Sequence, residues 1–197
     1  DPGVGTAAYL QEQMALPAWG PYESVCILQN KDRFRAFLSE HGFMVPWAYG
    51  FSSKEEALSN YEVFSYPLIV KPTDSAGSKG VTRVDDVAKL SDALQEAFSY
   101  SIGKRVIVEE FIEKEGCSSD TDCFSVDGEL KFVSFSAQRF DEHAANPYTP
   151  SAYSWPSTFS GEQEKELATE IQRLLKLLGM QTSIYNVETR IGKNGKA

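Results

Sequence analysis

The sequence has 197 residues, of which 42% are hydrophobic, and a formal net charge of −9. This size allows one domain, or one domain built from two lobes, with a buried core. An acidic chain disfavours broad binding to nucleic acid or anionic membranes, and since no apolar run reaches about 18 residues, no transmembrane helix is expected. The first residues lack a signal-peptide pattern, and three widely spaced cysteines indicate reduced thiols in a cytoplasmic protein.

In chain order, the sequence predicts helices that alternate with strands. The predicted helices cover residues 6–15, 31–41, 54–60, 86–100 and 161–178. The predicted strands are 44–50, a short apolar strand ending at Lys71, and 81–84, 105–112, 121–126, 129–137 and 182–191. Residues 139–159 are rich in proline and polar side chains without a period, so we expect one long loop there. This order predicts an α+β protein with two lobes that meet near residues 112–116.

The strand that ends at Lys71 and the loop of small residues after it form the most informative segment for function. A lysine at a strand end, facing a flexible loop with free N–H groups, can hold a polyphosphate. The alternative is an ordinary glycine-containing hairpin with solvated lysines. The sequence lacks the spacing of a Walker A loop. Besides Lys71, the candidate phosphate-binding residues are Ser75, Gly77, Ser78, Lys79 and Gly80.

Four motifs occur in an order that resembles one known superfamily. They are Asn30–Pro46, which resembles the pattern N-K-x-x-x-R-x-x-L-x-x-x-G-x-x-x-P, the strand and loop at 66–81, Val108–Ile112, and Tyr185–Glu188. Together they resemble the ATP-grasp superfamily of carboxylate–amine ligases. Within it, the chain looks closest to the carbamoyl-phosphate-synthase-like and biotin-carboxylase-like branch.

The resemblance implies an ATP-grasp fold, in which two α+β lobes with mainly antiparallel sheets enclose a nucleotide cleft. Residues 30–113 would form the N-terminal lobe and 114–197 the C-terminal lobe. The last metal-binding strand of the family would be missing, and residues 1–29 would be a remnant or linker from a preceding domain. The sequence also lacks an initiator methionine, so we expect a piece of a longer protein.

Roles for individual residues follow from the resemblance. Lys31 and Lys71, from separate lobes, would lie together over the ATP phosphates. The backbone of the hinge would read adenine as a strand edge does, with Leu68 or Ile69 as an apolar wall. The expected hinge residues are Glu109, Glu110, Phe111, whose ring would form a second wall, and Ile112. The competing interpretation of Glu109 and Glu110 is a pair of edge-strand carboxylates in water.

The remaining roles concern ribose, metal and substrate. The ribose acceptor stays open among Glu115, Asp120 and Asp122. Glu188 would bind Mg²⁺, for which Mn²⁺ can substitute. The expected catalytic residues, which would contact the acceptor or the transferred phosphate, are Arg139 and Arg190, with His143 nearby in sequence.

The expected activity of the full-length parent is ATP- and Mg²⁺-dependent ligation of a carboxylate, or bicarbonate, to an amine through an acyl phosphate. The fragment by itself is expected to be inactive. Partners would be ATP and small substrates, without nucleic acid or membrane, and the resemblance is compatible with a homodimer. Two alternatives stay open: a nucleotide-binding module without turnover, and a structural interaction domain.

Overall fold

The computed structural model describes residues 3–113, 115–193 and 195. The helices are α1 (Val4–Gln13), α2 (Tyr22–Gln29), α3 (Lys31–Glu40), α4 (Lys54–Ser59), α5 (Leu90–Tyr100) and α6 (Gly161–Leu177). The strands are β1 (Ala48–Phe51), β2 (Leu68–Pro72), β3 (Thr82–Val84), β4 (Val106–Glu110), β5 (Ser119–Val126), β6 (Glu129–Phe135), β7 (Ala137–Phe140), β8 (Pro150–Ser154) and β9 (Ser183–Thr189). Within these described residues, no helix is both long and apolar enough to cross a membrane.

The chain divides into two compact units. Unit 1 combines the residues up to Cys26 with those from Glu113 onward, and unit 2 covers Ile27–Ile112. Every strand pair in both units is antiparallel, and helices pack on the sheets, so the expected α+β class is confirmed. The expected domain limits at residues 30 and 113, with 1–29 as a remnant, stay a prediction.

Unit 2 is built on a four-stranded sheet in the order β1-β4-β2-β3. One face of this sheet buries aliphatic side chains against α4 and α5, among them Leu68, Val70 and Val108, which are fully buried. Side chains alternate along a strand, so Lys71 and Glu109 lie on the opposite face. The sheet therefore separates an apolar core from a face that carries charge.

Unit 1 contains a three-stranded sheet in the order β6-β5-β9 and the two-stranded ribbon β7-β8. The predicted turn at Asp127-Gly128 joins β5 to β6, and both turn residues have positive φ, as the favoured hairpin turns require. The predicted cap of α6 is confirmed, because Ser160 and Gln163 form a reciprocal capping box. The helix packs through Leu167 on the sheet side that holds Phe135.

Two segments differ from the sequence prediction. The loop expected over 139–159 is wrong in part, because β7 and β8 pair there and leave only a shorter connection. These strands are short and lack an alternating apolar pattern, which is the signal that identifies half-buried strands. Helix α2 was also not predicted. It begins directly after Pro21, a residue that favours the first turn of a helix, and Ser24 Oγ donates to Leu178 O at 2.6 Å.

Candidate functional site

The charged face of the unit 2 sheet is organised around the buried carboxylate of Glu109. This side chain is 7% exposed, yet it accepts hydrogen bonds from two cations. Lys71 Nζ donates to Glu109 Oε1, and Arg35 Nε donates to Oε2 at 3.0 Å. A buried charge is tolerated only when it is paired, and here each carboxylate oxygen has its own cationic donor.

This arrangement keeps Glu109 ionised. Burial by itself would raise the pKa of a carboxyl group, but the charges and hydrogen bonds of Lys71 and Arg35 outweigh it and lower the pKa to about 2. The interpretation of Glu109 as a solvated edge-strand carboxylate is therefore wrong. Glu110, its neighbour on the other face, is exposed to solvent, although its strand is not an edge strand.

Lys31, at the start of α3, brings a third positive charge to the same face. Its Nζ donates to the backbone carbonyl oxygens of Ser75 at 2.8 Å and Thr73 at 3.3 Å. Burial first, and then the positive charge of Lys71, lower the pKa of Lys31 to about 8. Lys31 and Lys71 are thus close enough to repel each other. The expectation that they come from separate lobes is wrong, because both lie in unit 2.

The loop between β2 and β3 has an unusual backbone. Three of its residues have positive φ: Gly77 at 67°, Ser78 at 55° and Gly80 at 70°. A Cβ atom at Gly80 would lie 2.9 Å from Tyr100 Cδ2, so only glycine fits this position without a shift. Lys79, in the same loop, is exposed.

Asp74 fixes the beginning of this loop. Its carboxylate accepts hydrogen bonds from Ser101 Oγ at 3.0 Å and from the backbone N–H groups of Ile102 and Gly103. The strand end that carries Lys71 is thereby tied to the segment after α5, while the tip of the loop is exposed.

The expected hinge does not expose a strand edge over its whole length. Strand β4 lies inside the sheet, between β1 and β2. The N–H of Glu110 donates to Trp47 O at 3.0 Å, and the N–H of Phe111 donates to Pro67 O at 3.3 Å. Among the described residues, no acceptor is found for the N–H of Ile112. The N–H groups of Glu110 and Phe111 are thus already paired, whereas Ile112 retains a donor, and the adenine-binding role of the hinge stays a prediction.

The two aliphatic residues expected as apolar walls lie on opposite faces of the sheet. Ile69 pairs with Glu109 and lies on the charged face, whereas Leu68 is fully buried in the core on the other face. The ring of Phe111 carries the Arg83 guanidinium 4.3 Å from its centroid, a cation–π contact that the sequence did not indicate. Ile69 is thus the only one of the two candidate aliphatic walls on the face of Lys71.

The other expected site residues lie in unit 1. On one face of its sheet, Asp120 is paired across the strands with Glu188, and Asp122 with Asn186, which donates to Asp122 Oδ1 at 2.9 Å. Burial, together with the neighbouring carboxylates of Asp122 and Glu188, raises the pKa of Asp120. Glu115 is exposed, and its N–H donates to Ile191 O at 2.8 Å.

The two arginines expected to be catalytic have partners of their own. Arg190 forms an ion pair with Glu188 at 2.7 Å. Arg139 lies on β7 rather than at the start of a loop, and its guanidinium contacts Cys117 Sγ at 3.2 Å and Ser154 Oγ at 3.3 Å. His143 is exposed, and its N–H donates to Asp141 Oδ1 at 2.9 Å.

Glu188, the expected metal ligand, has the chemistry that magnesium requires, because Mg²⁺ prefers carboxylate oxygens and completes its shell with phosphates and water. Across the part of the chain that the structure describes, however, no group of three or more His, Cys, Asp or Glu side chains is arranged to hold a metal ion. The donor set fits a magnesium ion that is bound mainly by phosphate oxygens.

Arg35 is the functional candidate that sequence reasoning missed. It lies at the arginine position of the pattern N-K-x-x-x-R, four residues after Lys31, so a signal was present. That spacing places Arg35 one helical turn after Lys31 on α3, and both side chains reach the face of Glu109.

Comparison with known proteins agrees with this geometry. A family model described as an ATP-grasp domain matches residues 64–197. The carbamoyl phosphate synthase large chain of Thermotoga maritima is 26% identical over 185 residues, which is 94% of this chain but 17% of the relative. The phosphoribosylamine–glycine ligase of Phenylobacterium zucineum is 30% identical over 177 residues, 85% of this chain and 41% of the relative.

Two solved structures show the same fold. The VanG D-Ala:D-Ser ligase from Enterococcus faecalis superposes with a TM-score of 0.81 at 25% identity, covering 99% of this chain and 58% of that one. The L-amino acid ligase from Bacillus licheniformis gives a TM-score of 0.79 at 24% identity, covering 99% and 44%. The chain thus spans less than two thirds of the length of each of these proteins. The match of the family model to more than half of its residues shows that the chain belongs to the ATP-grasp family.

Proposed function

We propose that this chain is the nucleotide-binding part of an ATP- and Mg²⁺-dependent carboxylate–amine ligase, similar to carbamoyl phosphate synthase. The observation that carries this proposal is the convergence of three basic residues on one face of unit 2. Lys71 and Arg35 bind the same buried carboxylate, and Lys31 lies within electrostatic reach of Lys71 beside a glycine-containing loop.

The charge balance of this cluster supports a triphosphate as its ligand. Three cations lie near two carboxylates, Glu109 and Asp74, whose charges both act on Lys31, so the cluster keeps an excess of one positive charge in a chain whose net charge is −9. Burial is the main cause of the lowered pKa of Lys31, and repulsion by the positive charge of Lys71 adds to it. An anion placed between Lys31 and Lys71 would relieve that repulsion. The N–H groups of the loop, including those at Ser78, Lys79 and Gly80, would add uncharged donors.

The hinge would hold the base beside this cluster. The Ile112 N–H would donate to adenine, and Ile69 would provide the apolar wall. Glu115 or Asp122 would accept from the ribose. These roles rest on the resemblance and on the position of each group in its own unit.

In the proposed reaction, a carboxylate or bicarbonate oxygen attacks the γ-phosphorus of ATP, and the bond to the β-γ bridging oxygen breaks. The products are an acyl phosphate and ADP. An amine then attacks the acyl carbon and releases inorganic phosphate, and the amine loses a proton. The protein would contribute position and charge neutralisation, and no covalent bond to the enzyme is required.

Glu188 would hold the magnesium ion, which, when bound, offsets the negative charge of the terminal phosphates. Arg190 would first have to exchange its ion pair with Glu188 for a phosphate or acyl phosphate. Arg139, which has exposed surface and weak neutral partners, would contact the acceptor substrate. A guanidinium suits both kinds of anion because its donors are arranged as a planar fork.

A second candidate is a module that binds nucleotide without turnover. The ion pair between Glu188 and Arg190 favours this binding module, because it engages the carboxylate that is expected to bind the metal. The two candidates differ in product formation. ADP release by the chain, or by a longer natural protein that contains it, on addition of carboxylates and amines would support the ligase. Mg-ATP binding without ADP release under all such combinations would support the binding module.

The common part of both candidates is tested by a thermal shift. Mg-ATP should raise the melting temperature of the 197-residue chain, and AMP should raise it less, because AMP lacks the phosphates that the basic cluster would bind. If neither nucleotide stabilises the chain at millimolar concentration, both nucleotide-binding candidates fail and an interaction domain is the better explanation.

A further inference from the structure

The open face of the unit 1 sheet carries an apolar row that the proposed nucleotide chemistry does not use. Phe132, Phe124 and Ile184 are direct partners across β6, β5 and β9. The rings of the two phenylalanines are stacked, with centroids 5.8 Å apart. Ile184 is 84% exposed and Phe132 is 51% exposed. The row crosses the whole three-stranded sheet.

Such a row is unusual on the exposed side of an antiparallel sheet, where polar residues are the rule. Here the arrangement is reversed, because hydroxyl and thiol side chains of β5 are buried while Phe124 is exposed. Those buried side chains are Ser119, Thr121, Cys123 and Ser125. A contiguous exposed apolar area with a polar rim marks a binding surface. The rim adjoining this row is Asp122, two residues from Phe124 along β5, with Asn186 as its cross-strand partner.

The apolar row and its acidic rim together indicate a class of ligand. Residues two apart on a strand are separated by about 6.7 Å. That distance separates a carboxylate at Asp122 from the apolar row at Phe124. A molecule with an ammonium group at one end and an aliphatic or aromatic group at the other, of the size of leucine or phenylalanine, matches both features. The acidic rim complements the positive charge of the ammonium.

We propose that the face formed by Phe124, Phe132, Ile184 and Asp122 binds the amine substrate, and that this substrate carries a bulky apolar side chain. The inference rests on the proposed ligase function and specifies its substrate class. It follows that Asp122 binds the ammonium group of the amine substrate. Glu115 then remains as the candidate that accepts a hydrogen bond from the ribose.

The test is calorimetric titration of the 197-residue chain with L-leucine, L-phenylalanine and glycine, with and without Mg²⁺ and a non-hydrolysable ATP analogue. We expect leucine and phenylalanine to bind at least tenfold more tightly than glycine in at least one of the two conditions. Equal affinities for the three amino acids, or no binding of any in both conditions, would overturn the inference. Binding of the analogue is scored separately, so failure of the nucleotide proposal is recognised independently.

Variants locate the binding. Ile184→Ser removes an exposed side chain, and the matched control Ile102→Ser removes another exposed isoleucine, 79% exposed, on a loop of unit 2. We expect Ile184→Ser to weaken leucine binding about fivefold and Ile102→Ser to leave it unchanged. Asp122→Asn should weaken leucine binding but not binding of the ATP analogue. The opposite pattern for Asp122→Asn, or equal effects of the two isoleucine variants, would refute the assignment.

Discussion

At the scale of single residues, the candidate site depends on how Glu109 is neutralised. A carboxylate that is 7% exposed can stay ionised only because Lys71 and Arg35 donate to it from two sides. The same contacts fix the directions of both cations before any ligand arrives. Glu109 thus stabilises unit 2 and positions its basic groups at the same time.

This dual role gives a prediction for Glu109→Gln. The pKa of Glu109 is lowered from 4.5 to about 2 by folding, so its ionised form contributes about 3 kcal/mol of stability above pH 4.5. That contribution is lost as the pH falls from 4.5 towards 2. We expect Glu109→Gln to be destabilised by about 3 kcal/mol at pH 7 and by progressively less at pH 4 and pH 3, measured by urea unfolding.

The matched control is Glu110→Gln, because Glu110 is the exposed neighbour on the opposite face. Its effect should stay within about 0.5 kcal/mol across this range. Equal destabilisation of the two variants at pH 7 would show that the buried ion pairs at Glu109 contribute no specific stability.

Lys31 gives a second prediction, on proton uptake. Its pKa is lowered from 10.5 to about 8, so the amine is about half protonated at pH 8. A bound triphosphate would favour the charged form and restore a pKa well above 8. We expect Mg-ATP binding at pH 8 to take up about half a proton, measured by calorimetry in buffers of different ionisation enthalpy. Lys31→Arg should bind ATP without this uptake, since arginine stays charged. Identical uptake by wild type and Lys31→Arg would assign the proton to another group.

Sequence reasoning identified most of the charged residues but not their relations. Lys71 was found because charge beside small residues suggests phosphate binding, and Lys31 because it lies in a motif that resembles the family. Glu109 was found as a part of the hinge motif, yet its ion pairs depend on the register of β2 against β4 and on the approach of α3. Those are tertiary contacts that no local pattern contains. Arg35 was missed although its position in the pattern N-K-x-x-x-R marks it, because the ion pair that gives it a role depends on such contacts.

At the scale of elements, the loop between β2 and β3 is a short connection between two paired strands with a strained backbone. Its beginning is fixed by Asp74 and its end by Gly80, which packs against Tyr100. Between these points the residues Ala76, Gly77 and Lys79 are exposed. Such a loop can move at its tip while both of its ends stay in place.

Two glycine variants separate backbone strain from packing in this loop. Gly80→Ala combines a φ of 70° with a Cβ contact of 2.9 Å to Tyr100, and we expect a destabilisation of about 2 kcal/mol or more. Gly77→Ala has a φ of 67° but no atom within 4 Å of its added Cβ, so about 1 kcal/mol is expected. Chemical denaturation measures both. Equal losses of unfolding free energy in the two variants would mean that Tyr100 moves away from the added Cβ without an energetic cost.

The elements also show where sequence patterns reach their limit. Helices α4 and α6 were predicted from the caps at Ser53 and Ser160, and α3, α5 and α6 from an apolar period. Helix α2 has several residues that favour strands, and the ribbon β7-β8 has neither alternation nor β-branched side chains. Their structure depends on tertiary contacts, such as the bond from Ser24 to Leu178, rather than on local preference.

At the scale of the whole molecule, charge is divided unevenly. The chain carries 28 acidic and 19 basic residues, yet the charged face of unit 2 brings three cations close to two carboxylates, Glu109 and Asp74. A general acidic surface repels polyanions such as nucleic acid, while a local basic cluster accepts a small anion. The family assignment implies ATP binding, and the local excess of positive charge independently favours a small anion.

The measurement that tests this account most directly is the calorimetric affinity of Mg-ATP for wild type and for Lys71→Ala. Lys89→Ala, which removes an exposed lysine of the same unit, is the control. We predict that Lys71→Ala weakens binding by about 1.5–3 kcal/mol, because a charge-assisted contact to phosphate is lost, while Lys89→Ala leaves it unchanged. Equal affinity of the folded Lys71→Ala variant and wild type would contradict the phosphate-binding role of the cluster.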